Sequence, residues 1–506
     1  MTPIQRTPWL VALSLLAACS ATASPSPPEP PAQPATPSAP APAADAPDAE
    51  APLSPEIEAY RPAVLALLKE GLARGQAYAK LADLVRVAPH RLSGSAGAAA
   101  AVEWSVARMQ ADGLQNVRLV PCMVPHWERG DVAELEIVAP AEAAGERLPI
   151  LALGGSVATP PAGVTAEIVE VKSWEQLDQR AAEVQGRIVF YNRPMDPELF
   201  AYGAAYGRAV DQRGRGAIEA ARRGGLAAIV RSMTTRLDDF PHTGAMRYEP
   251  DGTNVPGVAV STRGAELLAA LLARGPVKVR LRTNSRWLPD EPSASVVGEV
   301  LGRERPEEVV VLGGHLDAWD VGQGAHDDGG GCMQAVEALR LIKALGLQPR
   351  RTIRCVLFMN EENGSRGAEA YRDSVLTELD RHVLAIESDG GVSVPRGFSA
   401  TCPPEALAIL RQIVALMEPA GIDELREGGG GADIDPLREA GGVPVMSLHT
   451  DGQRYFDLHH SGRDTLDAVW PREINLGAAA MAAMAYVVAD LEQPLPRDPP
   501  PDAPAR

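Results

Sequence analysis

Aromatic side chains make up only 4% of the 506 residues, and basic residues are outnumbered, 48 Lys and Arg against 66 Asp and Glu. The formal charge of -18 argues against nucleic acid or an anionic lipid surface as a main partner, since both require a basic face. Cysteine is scarce, five in all, and none shows the CxxC spacing of a zinc knuckle. Cys122, Cys332, Cys355 and Cys402 permit three disulfide pairings, among which sequence does not choose. Long apolar runs are also missing. The stretch Trp9 to Ala18 falls well short of the ~20 residues that a membrane helix needs.

That short stretch follows a lone Arg6 and ends in Leu16-Ala17-Ala18-Cys19. Its length and small-residue ending fit a cleavable export signal. The ending resembles the lipobox of bacterial lipoproteins, which implies a signal peptide over 1–19 and a lipid on Cys19. Ser20 after the cysteine, by the same resemblance, places the protein in the bacterial cell envelope, at the outer membrane or otherwise periplasmic or secreted. Residues 20–53 are Ala, Pro and Ser with late acids. This composition forms no core and reads as an extended tether. The tail 494–506 reads as unstructured for the same reason.

Between these ends, 45% of hydrophobic residues supply ample cores. The segment "PEIEAYRPAVLALLKEGL" has helical apolar spacing, and "NVRLVPCMVPHW" and "DVAELEIVAP" read as strands. From 149 to 288 short strands and helices alternate with no cluster of metal ligands, as in an inserted α/β domain. Strands resume at "SASVVGEV", so 54–148 and 289–493 form one catalytic domain around the insertion. From Val309 onward strand and helix alternate, which predicts a mixed α/β sheet sandwiched by helices. Ligands of such sheets sit beyond the carboxyl ends of the strands.

That edge carries the chemistry. His315 and Asp317 follow one strand, and Asp327 lies in the next loop. Glu361 and Glu362 follow the second strand and Asp389 the third, while His459 and His460 come late in "YFDLHHSGRDT". Imidazoles and carboxylates without thiolates suit a catalytic divalent ion. One zinc takes about three protein ligands plus water. Two close dications need a shared carboxylate between them. His315, Asp327, Glu362, Asp389 and His460, with one bridge, give each of two zinc ions three ligands. Neighbours on extended backbone point opposite ways, so Glu362 is free to bind metal while Glu361 faces substrate as the general base. Asp317 is placed to accept the second N–H of the His315 imidazole. Singly each feature is weak, because Glu-Glu is usually a solvated face and Asp-Asp beside glycines a turn. Together, in order and at successive strand ends, they point to a centre.

"GGHLDAWDVGQGAHDDGGG", "NEE", "ESD" and "HHSGRDT" resemble the M28 family of co-catalytic zinc peptidases. "RLSGS", "PHWERG" and the insertion add a likeness to its carboxypeptidase Q branch, over about 55 to 493. The resemblance implies Asp327 as the bridge, His315 and Asp389 on one zinc, Glu362 and His460 on the other, and Glu361 as base. His460 is preferred to His459 for its spacing to Asp464, and His326 is expected to be a spectator. The resemblance further implies a protease-associated (PA) domain for the insertion, short peptide substrates such as dipeptides with free termini, and a homodimer. The rival readings are an aminopeptidase on the same zinc core, a single-zinc acyl transferase of glutaminyl-cyclase type, and a binding module without chemistry. Retention of all five ligands and of the base argues against the last two.

Overall fold

The computed structural model describes residues 53–499. The signal segment, Cys19 and all of the tether except Leu53 lie outside the described residues. Eight strands form the first sheet: β1 (Gln115–Glu128), β2 (Arg286–Val300), β3 (Arg305–His315), β4 (Arg351–Phe358), β5 (His382–Glu387), β6 (Pro395–Thr401), β7 (Glu424–Glu427) and β8 (Val445–Thr450). Their spatial order is β1-β2-β4-β3-β5-β8-β6-β7. The central β4, β3, β5 and β8 run parallel, whereas β1–β2, β2–β4 and β6–β8 are antiparallel, so the sheet is mixed.

Both faces are covered, and strand periodicity shows how. Val310 and Leu312 pack on one side with the helices Arg61–Arg74, Gly330–Ala344 and Pro471–Asp490. Val309 and Val311 pack on the other with Ala368, Tyr371 and Leu437, as alternation on a strand requires. A strand buried on both faces reads as a continuous apolar run, which explains Val309-Val310-Val311-Leu312.

A second sheet, also of eight strands, is drawn wholly from residues between β1 and β2, from Ala133 to Thr283. Its two faces carry separate apolar clusters around Val189 and Ile188. "DVAELEIVAP", expected with the outer segments, belongs here, because Ala133–Ala139 pairs with Lys278–Thr283. "PEIEAYRPAVLALLKEGL" is two helices rather than one, Pro55–Glu58 and Arg61–Arg74. Pro62 lacks the N–H that an uninterrupted helix would need there. The tail is ordered as far as it is described: Leu495 is buried, and Arg497 donates to the carbonyls of Leu379 (2.9 Å) and Gly441 (2.6 Å). Cys122, Cys332, Cys355 and Cys402 are all unpaired thiols. Among the described residues no helix is long and apolar enough to cross a membrane.

Candidate metal centre

Three parallel strands end side by side, and each delivers part of the centre from its carboxyl end. β3 stops at His315, with Gly313 and Gly314 before it. A Cβ on Gly314 would lie 2.3 Å from the Asp328 carboxylate, so only glycine lets the following loop fold back this closely. Beyond β4, Asn360 takes a left-handed conformation (φ 75°), and Glu361 and Glu362 follow it. Beyond β5 comes Asp389.

The loop that carries Asp327 is held by charged groups. Arg91, fully buried, donates to the carbonyls of Leu316, Gln323 and Gly324, each at 2.6 Å. The Asp464 carboxylate accepts from the backbone N–H groups of Ala325 (3.0 Å), His326 (2.7 Å) and Asp327 (3.1 Å). Asp328 accepts from the N–H groups of His315 and Gly331, at 3.0 and 3.1 Å. The peptide between Asp327 and Asp328 is cis.

Asp327 lies between two imidazoles. Its Oδ1 is 3.2 Å from His315 Nε2 and its Oδ2 3.3 Å from His460 Nε2. Asp389 Oδ1 is 3.4 Å from the same His315 nitrogen, and Glu362 Oε2 is 3.0 Å from that of His460. The other Glu362 oxygen accepts from the Trp319 backbone N–H at 3.3 Å, which turns Oε2 toward His460. All five residues expected as ligands are thus brought together. His459 is farther off, 3.7 Å from Asp327, and its ring stacks behind that of His460 at 3.5 Å. His326 engages both ring nitrogens elsewhere, accepting from Val392 N–H (3.3 Å) and donating to Ala468 O (3.1 Å).

The residues fit a metal. His315 Nε2, Asp327 Oδ2 and Asp389 Oδ1 are buried without a hydrogen-bond partner, a costly state unless something binds there. Two triads, His315–Asp327–Asp389 and Asp327–His459–His460, each bring their ligand atoms within 4.8 Å of one another, and Asp327 belongs to both.

Asp317 differs from expectation. The His315 Nδ1 donates to the Asp317 backbone carbonyl at 3.0 Å, while the Asp317 carboxylate stands 4.0 Å from that nitrogen, beyond hydrogen-bond range. Asp317 Oδ1 instead accepts from the N–H groups of Asn360 (2.6 Å) and Glu361 (3.1 Å). The carbonyl fixes the imidazole, and the carboxylate fixes the turn that sends Glu361 and Glu362 apart. Glu361 is partly open to the cleft and 4.0 Å from His315 Nε2. Burial, reinforced by Asp389, Asp317 and Asp327 and opposed by His315, pushes its carboxyl up to about 7.

A cavity of about 660 Å³ opens beside Asp389, lined in part by Gly430 and Gly431 of the loop after β7, Arg396, His449, Tyr455 and the exposed Phe200. The sequence reading missed Arg91 and Asp464 as holders of the metal loop. Their signals were present in "RLSGS" and "HHSGRDT", yet neither motif names its partners.

Fold and centre together define a metallopeptidase of the mixed α/β class. A family model described as peptidase family M28 matches residues 295–486. Human carboxypeptidase Q is 39% identical across 86% of this chain and 90% of its own. The crystal structure of a peptidase M28 precursor from Shewanella amazonensis SB2B superimposes with a TM-score of 0.84. It is 34% identical, over 88% of this chain and all of the other. A zinc aminopeptidase from Bacillus subtilis shares the fold, with TM-score 0.60 and 20% identity over 84% of this chain and 98% of its own. The chain belongs to peptidase family M28.

Proposed function

We propose that the chain is a two-zinc exopeptidase that hydrolyses short peptides, foremost dipeptides with free termini. It would be exported and tethered to the outer membrane through lipid on Cys19. The supporting observation is Asp327, whose two oxygens face different imidazoles at 3.2 and 3.3 Å, as a carboxylate shared by two ions must. His315, Asp389 and Asp327 would hold one zinc, and Glu362, His460 and Asp327 the other. A bound pair supplies charge that polarises the scissile carbonyl and eases deprotonation of water. Glu361 takes the proton from the attacking water and delivers it to the leaving amine nitrogen as the C–N bond breaks. Asp317 holds the Glu361 backbone, and the Asp389 cavity has room for one end of a short peptide.

The branch reading draws on the likeness to human carboxypeptidase Q. We further propose a PA-like role for the second sheet, which is drawn wholly from the segment between β1 and β2, and a homodimer. The deciding experiment assays a panel of free, N-acetylated and C-amidated dipeptides, with zinc counted in the same preparation. Cleavage of free dipeptides at two zinc ions per chain is the expected result. Indifference to C-amidation with intolerance of N-acetylation would make it an aminopeptidase instead. One zinc per chain with cyclisation of N-terminal glutamine would make it an acyl transferase. In the parent bacterium, Cys19→Ala should move the protein from the membrane pellet to the soluble envelope fraction.

A further inference from the structure

His460 adopts a left-handed backbone (φ 59°), a conformation that a residue with a side chain resists and that its surroundings must impose. Those surroundings come from a loop between two strands of the second sheet. After the strand Ala227–Arg231, the chain carries the buried pair His242 and Thr243 across to the metal side. His242 forms an antiparallel bridge with Ser461. His242 Nδ1 lies 2.7 Å from the His459 carbonyl. A carbonyl only accepts, so this nitrogen carries the ring proton. Thr243 N–H donates to the His460 carbonyl at 2.8 Å. Two successive carbonyls of the histidine pair are therefore bonded from two successive residues of the loop that follows Ala227–Arg231.

The holder is itself anchored. His242 N–H donates to Ser232 Oγ at 2.8 Å, and that hydroxyl donates to the Val260 carbonyl at 2.7 Å. Arg213 Nη1 donates to Tyr206 Oη (2.8 Å) and the Thr243 carbonyl (3.3 Å). Its guanidinium also lies against the His460 ring, 3.3 Å from Nδ1. Among the described residues, the backbone supports named above for His315 and Asp327 all come from the first sheet and its loops.

We propose that His242 is a positioning residue for His460, and that the second sheet thereby completes one half of the metal centre. The half built on Glu362 and His460 depends on this grip, and the half built on His315 and Asp389 does not. The proposal rests on the two-zinc reading. Its test titrates Zn²⁺ alone, by calorimetry, into chelator-stripped full-length protein. The wild type should show two steps. His242→Ala should keep one step within twofold and weaken the other by at least about tenfold, the scale seen when a ligand's outer support is removed. His242→Asn, whose amide N–H replaces Nδ1–H, should recover most of the loss. Ser232→Ala touches neither histidine pair member nor any ligand, and should shift the same step in the same direction by less. It serves if His242→Ala does not fold. Two unchanged steps in both alanine variants would overturn the proposal alone, as would equal weakening of both steps. A single step in the wild type would overturn the two-zinc reading and this proposal with it.

Discussion

At the scale of single residues, the centre works through which oxygen faces which nitrogen. Asp327 has one oxygen for each histidine, so on the proposed two-zinc reading Asp327→Ala should cost both ions rather than one, as measured by metal content after dialysis. Full occupancy in that variant would remove the shared-carboxylate assignment. Glu361 stands beside the ligands with its backbone held by Asp317. Glu361→Gln should keep both ions and lose about 10²–10⁴ in kcat, the usual worth of a general base. Steady-state assay with metal analysis tests both halves. The acids and imidazoles of this set were legible in sequence because their spacing and chemistry are local. The supports were not. Arg91 acts on carbonyls 225 to 233 residues away and Asp464 on N–H groups 137 to 139 away, and no short motif encodes such a partner.

At the scale of elements, the two sheets meet through close contacts around Trp319. A Cβ on Gly154 would lie 1.9 Å from the Trp319 ring, and the backbone N–H of the same residue orients Glu362. Gly154→Ala should therefore destabilise the fold by about 1–3 kcal/mol, as overpacking does, and weaken zinc at the Glu362 side. Urea unfolding and zinc titration of the same variant test this. Normal stability with normal zinc binding would show that the indole moves aside freely. Apolar patterning identified β3, β4 and β5, because burial on both faces writes itself into consecutive residues. It missed β6 and β7. "PRGFSAT" and "ELRE" become strands through pairing with β8 and with each other, a tertiary influence on weak local preference.

At the scale of the whole molecule, the centre stores like charge. Burial raises the carboxyls of Glu361 and Asp464 to about 7 and those of Asp317, Glu362 and Asp389 in the same direction. A carboxyl with a raised folded pKa holds a proton that the unfolded chain has already lost, so it destabilises the fold as pH rises toward the folded value. Buried histidines with lowered values, such as His242 and His382, act oppositely, but only below the ordinary histidine value of about 6.5. Between pH 6.5 and 8 the acids prevail, and zinc-free protein should melt at a falling temperature. Zinc held at the proposed centre would bind the native state and should raise melting more at pH 8 than at pH 6.5. Scanning calorimetry with and without Zn²⁺ checks this, and a flat or inverted trend would contradict it. The sequence alone determined that acids and imidazoles collect at successive strand ends of a helix-covered sheet, since apolar period and ligand chemistry are written within a few residues. Tertiary structure alone decided that the Asp317 carboxylate grips the Glu361 backbone and not the imidazole, that Ala133–Ala139 joins the second sheet, and that His242 reaches His459. Each of the last two joins residues more than a hundred positions apart, and the first joins two strand ends. Only packing of the finished fold selects such partners.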